Sequence, residues 1–471
     1  MNKVIYLIFV LLVTINLSSC TKKFEELNTD PTQFINATPE ALLAVSVKRT
    51  GDWVGATGLN NGINVNMWEI ANFGSAVGRY ANGDQGVWQN FYVNILQNIN
   101  QIETQFGKDT LYKNRVQIAR IWKAYVYSIL TGYFGSIPLT EANNTNYLTE
   151  IKFESEDSAY IKILGILKTA STTINVNSTK DKLAYDVVYG NSSTQLQNWV
   201  KFANTLRMKL GMVLADVDAS AAKSAVEASD AGAISAASDN GLFTYLSASP
   251  NQNPLHVDIV LGGRQDYIAA KDLMDKLLGW NDPRTGSYFS TNNGGKYAGG
   301  IVGKVNTYVD FSRAGAKVIA ADAPYVLADY VETEFLRAEA KERGFNVAGT
   351  AEQHYNNAIT ASILYWGGTQ ADADAYLAQP DVAYTTAAGN WKQKIGTQKW
   401  IALYNRSFET WTELRRLDYP VITAPVNAKS GFPTRLTYPN TEQTLNGTAY
   451  TAAAAAIGGD VVTTKLFWDK N

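Results

Sequence analysis

Among its 471 residues the chain has one cysteine, Cys20, and two histidines, His256 and His354. One thiol cannot close a disulfide within the chain. Two imidazoles are too few for a histidine-rich metal centre and leave few partners for a serine–histidine–aspartate arrangement. After residue 20 no apolar run approaches the roughly 20 residues that a membrane-spanning helix needs. Charge of either sign is not in excess, with 41 Lys and Arg against 43 Asp and Glu, so nothing in the balance draws the protein to nucleic acid or to an anionic bilayer. A Gly-x-Ser-x-Gly elbow, a His-Glu-x-x-His pair and a phosphate-binding Gly-Lys-Ser/Thr loop are all missing. Strand-like alternation is sparse.

What is present begins at that one cysteine. Lys3, an apolar run from Val4 to Val13 and small residues ahead of Cys20 predict a secretory signal peptide over residues 1–19. Leu17-Ser18-Ser19-Cys20 resembles the lipobox of bacterial lipoproteins. That pattern implies diacylglycerol on the Cys20 sulfur, cleavage just before it and an acylated new amino terminus. The alternative is a buried cysteine near an ordinary cleavage site. An acylated Cys20 leaves the mature chain without a thiol, which removes cysteine nucleophiles and thiolate metal ligands. Several acyl chains hold a body to a membrane stably, where one holds it marginally.

The body that follows is long enough for a sizeable core, and length alone favours two or three domains. Its helical periodicity is strong. Thr38-Pro39-Glu40 gives a capping hydroxyl, a first-turn proline and an acid, so a helix is predicted to about Arg49. Trp88, Phe91, Ile95, Ile99, Ile102 and Phe106 recur at spacings of three and four, as do Ile118, Trp122, Val126 and Ile129, with a turn at Gly107-Lys108-Asp109 between them. Further helices are predicted over 157–173, 199–215, 219–228, 324–343, 351–365 and 408–417. The segments 51–86, 250–263, 282–316, 367–391 and 420 onward read as irregular, and irregular segments on a helical scaffold are where binding usually sits. Ala351, Tyr355 and Ala358 have the small–aromatic–small spacing of the second helix of a tetratricopeptide unit, with Phe335 and Ala338 as first-helix anchors. Glu339 stands where that repeat usually has glycine, and the closing proline is missing.

A set of ordered motifs resembles the SusD/RagB family of outer-membrane nutrient-binding lipoproteins, in its SusD-like branch from the Bacteroidetes. They are Leu27-Asn28-Thr29-Asp30-Pro31, Tyr133-Phe134-Gly135-Ser136-Ile137-Pro138, Asp186-Val187-Val188-Tyr189-Gly190, the run Trp199–Arg207, Asn281-Asp282-Pro283-Arg284, Glu334-Phe335-Leu336-Arg337-Ala338-Glu339, the run Gln398–Leu403, Trp411-Thr412-Glu413-Leu414-Arg415-Arg416, Arg435-Leu436-Thr437-Tyr438-Pro439 and Lys465-Leu466-Phe467-Trp468-Asp469. The resemblance implies a mainly α fold: one SusD-like domain over residues 20–471, tethered through acylated Cys20 and a short stretch to about residue 30, with tetratricopeptide-like helix pairs and long irregular loops. It also implies a surface-exposed lipoprotein of the outer membrane, acting as a hinged lid that delivers oligosaccharide, or in some cases peptide, to a SusC-like TonB-dependent transporter. No enzyme activity, cofactor, metal or nucleic acid is expected.

Read physically, most of these motifs are scaffold. The Arg415-Arg416 guanidinium forks are expected to bind helix-end carbonyls or carboxylates such as Glu409 and Glu413. Glu334, Arg337 and Glu339 fall at ion-pairing spacings and read as solvated or capping groups, and Asp282-Pro283-Arg284 as a turn opening a loop. The 11 Trp, 26 Tyr and 17 Phe are the material of a glycan site, because pyranose C–H faces stack on flat rings while polar groups bond the hydroxyls. Two loops combine these groups. Trp68, Arg79 and Tyr80 lie in the segment 66–80, where the resemblance implies part of the glycan site, and Tyr288, Tyr297 and Tyr308 lie among glycines in 288–310. Packing against the scaffold is the competing role for each. A surface glycosidase, which needs two carboxylates about 5–9 Å apart, and a purely structural membrane partner are the alternative classes.

Overall fold

A computed structural model of the protein describes residues 37–56, 63–71, 77–81, 83, 86–144 and 150–470. The expected signal peptide over residues 1–19, Cys20, the 27–31 motif and residues 72–76 of the first aromatic loop lie outside the described residues. Pro39–Asn471 form one compact unit.

Helices dominate it. α1 (Pro39–Ala56) opens on the expected proline and runs about two turns past Arg49. α2, residues 87–106, is one helical run, but Asn90–Leu96 within it is wound as a π-helix. After the turn at 107–109, where Asp109 accepts the Leu111 amide, comes α3 (Lys113–Phe134). Eighteen of its residues are buried, on every face, so this helix is core and not a surface amphipath. α4 (Glu156–Thr173), α5 (Gln195–Val213) and α6 (Ala219–Ser229) follow close to expectation, each packed on the one before.

The span 324–343 is not one helix. Tyr325–Ala328 is a strand, β6, paired antiparallel with β2 (Gly241–Phe243), and α8 (Tyr330–Glu342) starts after Asp329, whose side chain accepts the Glu332 amide. α9 (Ala351–Tyr365) has the bounds expected of it. The hairpin α8–α9 packs as the small–aromatic–small spacing requires: Phe335 and Ala338 meet Tyr355, Ala358 and Ile359 in one buried cluster that also holds Tyr376 and Ile395. Those two residues come from helices in segments read as irregular or left without a reading, α10 (Gln370–Leu377) and α11 (Trp391–Ala402). α7 (Lys271–Gly279) also fills a segment without a reading, α13 (Asn440–Leu445) and α14 (Gly447–Ala456) occupy supposed loops, and 256–261 is a π-helix. α12 (Ser407–Leu417) is as predicted.

The motif charges correct a second expectation. Glu334, Arg337 and Glu339 are buried, not solvated. Glu339 bonds Arg416 and Arg343, which is why a carboxylate replaces the small residue of the repeat. Arg416 also reaches Glu413, 2.6 Å away, while Glu409 pairs with Lys209 instead of either arginine. Arg415 does bind helix-end carbonyls. It donates to Gly132 O at 2.9 Å and Thr434 O at 2.7 Å, and stacks over Trp411, so the C-terminal segment is tied to the end of α3. The turn expected at Asp282-Pro283-Arg284 is present, with Thr285 donating to Asp282 O at 3.1 Å, and it is also an anchor: Asp282 and Arg284 form a fully enclosed ion pair at 2.6 Å, and Arg284 donates to Ser362 on α9.

Candidate functional site

Two short ladders carry the candidate loops. β1 (Trp68–Ile70) pairs with β3 (Tyr267–Ala269), and β4 (Phe289–Ser290) with β5 (Arg313–Ala314). Between β4 and β5 the chain makes an excursion over 291–312 that is stitched back to β3. Gly300 donates to Ala269 O and Ala269 to Ser312 O, each at 2.8 Å. At its tip the Asn292 side chain accepts the amides of Gly294 and Lys296 and donates to Asp310 O. Rigid backing of this kind lets a loop present side chains in fixed positions.

Glu69 holds the excursion from behind. Its carboxylate, 0% exposed, accepts the Ile70 and Gly303 amides, both at 2.6 Å. Burial pushes its pKa up to about 7, against the lowering effect of those two amides. Gly303 is needed where it stands. Its φ is +80°, and a Cβ there would lie 2.4 Å from Val426 O. That closeness lets Val426 donate to Val302 O at 3.0 Å and brings the segment 425–432 alongside. The same segment grips the first loop: Lys429 donates to Arg79 O at 2.7 Å, Ser430 to Tyr80 O at 2.8 Å, and Phe432 meets the Tyr80 ring edge-on.

The two sequence loops are therefore linked through 425–432, a segment no sequence signal had marked beyond its irregularity. Glu69 was missed too. A lone acid between Trp68 and Ile70 has nothing in the sequence to show that it is buried.

The six expected site residues fall into two groups. Trp68 and Tyr288 are brought together, but inside. Trp68 stacks on Tyr404 at 5.5 Å and meets Phe289 edge-on, Tyr288 stacks on Tyr404 at 4.0 Å, and the Tyr288 hydroxyl donates to Ile401 O. Both are 0% exposed, so neither offers a face to a sugar; Trp68 opens a strand buried throughout, and Tyr288 closes the helical turn 285–288. Tyr80 is buried as well, at φ +63°, and burial followed by the nearby Asp272 charge raises its hydroxyl's pKa. Asp272 bonds Asn66 and the Thr423 amide and lines a cleft of about 320 Å³ with Trp400 and Val421. Arg79, Tyr297 and Tyr308 remain half-exposed. The Arg313 guanidinium lies 5.5 Å from the Tyr308 ring centroid, and Gly286 leaves room for the Tyr297 hydroxyl, 3.2 Å from where a Cβ would be.

Among the described residues no group of three His, Cys, Asp or Glu could hold a metal ion, and no helix is long and apolar enough to cross a membrane. Residues 26–439 match the family profile described as SusD-like, starch-binding associating with outer membrane. The chain belongs to the SusD-like family. Solved structures of SusD-like proteins agree. A chitin-binding protein is 27% identical, over 92% of this chain and 100% of its own, with a TM-score of 0.79. A chitin-binding SusD homologue from Flavobacterium johnsoniae is 25% identical over 92% and 99%, at 0.80. A SusD homologue from Bacteroides fragilis, 21% identical over 93% and 100% at 0.78, shares the fold. No curated protein matches the chain in sequence. The mainly α architecture with few short strands is that of these SusD-like proteins.

Proposed function

We propose that this SusD-like protein is a lipid-anchored, surface-exposed outer-membrane protein that captures oligosaccharides on the excursion 291–312 and delivers them to a SusC-like TonB-dependent transporter. The observation that carries the reading is the placement of Tyr297 and Tyr308. They are half-exposed aromatic faces beside Arg313 and Asn292 on a loop pinned by Glu69, with Arg79 across the 425–432 segment. The names of two relatives make oligomers of N-acetylglucosamine the first ligands to test. Capture fits better than hydrolysis, because Glu69 and Glu156, whose pKa values burial raises to about 7, are enclosed and bonded to backbone amides and cannot reach a glycosidic oxygen.

Calorimetry against chito-oligosaccharides, malto-oligosaccharides and tetrapeptides tests this. Tyr308→Ala and Tyr297→Ala are each expected to weaken binding by about 2 kcal/mol, roughly thirtyfold, with unchanged thermal unfolding. Tyr288→Ala should do the reverse, melting early. Equal affinities in wild type and both loop variants would remove the excursion from the site, and binding confined to tetrapeptides would replace the ligand class.

The anchor has its own test. Cys20→Ala is expected to move the protein entirely out of the outer-membrane pellet, because the sequence after residue 20 offers no other apolar hold. Retention through a high-salt wash, which strips electrostatic adhesion, would count decisively against acylation.

A further inference from the structure

The outer face of the tetratricopeptide-like hairpin carries a groove of about 540 Å³ between α8, α9 and the turn 235–240. Asn357, Thr360, Ala361 and Leu364 fall on one stripe of α9 at spacings of three and four, and Tyr330 from the first turn of α8, Asn240 and Tyr365 close the sides. None of its lining side chains carries a charge. Its polar groups are held in place but not used up. The Tyr330 and Thr360 hydroxyls have no hydrogen-bond partner among the described residues, whereas Asn240 is fixed by accepting the Tyr330 amide and Asn357 by donating to Glu334. Leu364 is 45% exposed on an otherwise well-packed helix.

Each feature narrows the occupant. A charged ligand would lose hydration here and gain no counter-charge. A peptide bound as an added strand needs an open sheet edge, which the lining does not provide. Tyrosine faces, unused hydroxyls and amides around a small apolar floor are instead the groups that stack pyranose rings and bond their hydroxyls. We infer that this groove is a second carbohydrate site, specific for uncharged oligosaccharides and separate from the excursion 291–312. The ligand class rests on the glycan-capture reading, but the residues do not. Two sites on one body would raise the residence of a long chain by making the second contact intramolecular.

The test uses the Tyr297→Ala/Tyr308→Ala protein, so that only the groove is read, titrated with chitotetraose, maltotetraose, cationic chitosan tetramer and neutral tetrapeptides. Saturable binding of an uncharged tetrasaccharide is expected, with the cationic tetramer at least tenfold weaker. Adding Leu364→Arg, at a position exposed enough to leave the fold intact, or Tyr330→Ala is expected to weaken the sugar at least thirtyfold without changing the circular dichroism or melting curve. If wild-type protein binds oligosaccharides and the double variant binds none, the groove is not a site while glycan capture stands. If wild type binds none either, both readings fall together. Binding that Leu364→Arg and Tyr330→Ala leave unchanged, or that only peptides achieve, also overturns the proposal.

Discussion

Arg416→Ala is expected to lower the stability of the protein by about 3–5 kcal/mol, the cost of leaving a buried charge without its partner. The Arg416 side chain is 1% exposed and joins Glu339 on α8 to Glu413 on its own helix. Burial alone would push the Glu339 pKa up. The Arg416 charge and hydrogen bonds, with help from Arg343, more than reverse this and hold the carboxyl below its usual range. Without Arg416, Glu339 keeps Arg343 and the charge of Lys399, and Glu413 keeps Lys399 at 3.0 Å. Arg416→Met combined with Glu339→Leu should cost less than either single change, since the charges then leave together. Urea denaturation of the three variants checks this, with the midpoint falling and the slope unchanged. A single variant within about 1 kcal/mol of wild type would show that the pair contributes little.

The same network explains what the sequence hid. Long helices with apolar stripes were legible, because Trp88 to Phe106 and Ile118 to Ile129 repeat the period of a helix. α11 was not, because its buried face includes Thr397, Gln398 and Lys399, and polar residues in a core erase the apolar stripe. α10 buries only Ala373 and Tyr376; its one sequence mark was the Thr369–Asp372 capping box. β6 was absorbed into a helix because all four of its residues are buried, leaving no alternation to read. The family motifs were legible as a set. Their charges were misread as solvated because helix spacing reports which residues share a face and not whether that face meets water.

The candidate site was legible at the level of loops and not of residues. Aromatic loops were chosen for having rings beside polar groups, which a core edge also has. Trp68 turned inward because its strand is buried throughout, Tyr288 because it ends a helical turn packed on Tyr404, and Tyr297 and Tyr308 stayed out because the excursion leaves the ladder before them. The 425–432 segment could not be placed by any local signal. Its role rests on backbone contacts with residues more than a hundred and three hundred positions away.

Stability is also expected to rise as pH falls from 8 to about 5. Glu69 and Glu156 each carry a pKa raised by burial from 4.5 to about 7. A carboxyl whose folded pKa lies above its unfolded value destabilises the fold while ionised. That penalty disappears as pH drops through the folded value toward the unfolded one, so each group contributes a gain of at most about 3 kcal/mol across the window. His354 acts in the same direction. Burial lowers its pKa, but Glu334 at 2.8 Å and Ala348 O at 2.7 Å outweigh this and raise it above 6.5. Its stabilisation is complete below the unfolded pKa and lost as pH rises through the folded one. Glu339 and Glu332, held low by their cations, keep their contribution throughout this range and lose it only in stronger acid. Denaturation at pH 5, 6, 7 and 8 should therefore show a monotonic fall in stability with rising pH. Glu69→Gln, which sacrifices one of the two backbone bonds, should start lower but flatten the profile between pH 5 and 8, because the group that titrates behind Gly303 is gone. A profile as steep in Glu69→Gln as in wild type would place the titration elsewhere and leave Glu69 as a carboxylate ionised throughout, clamping the excursion with full charge.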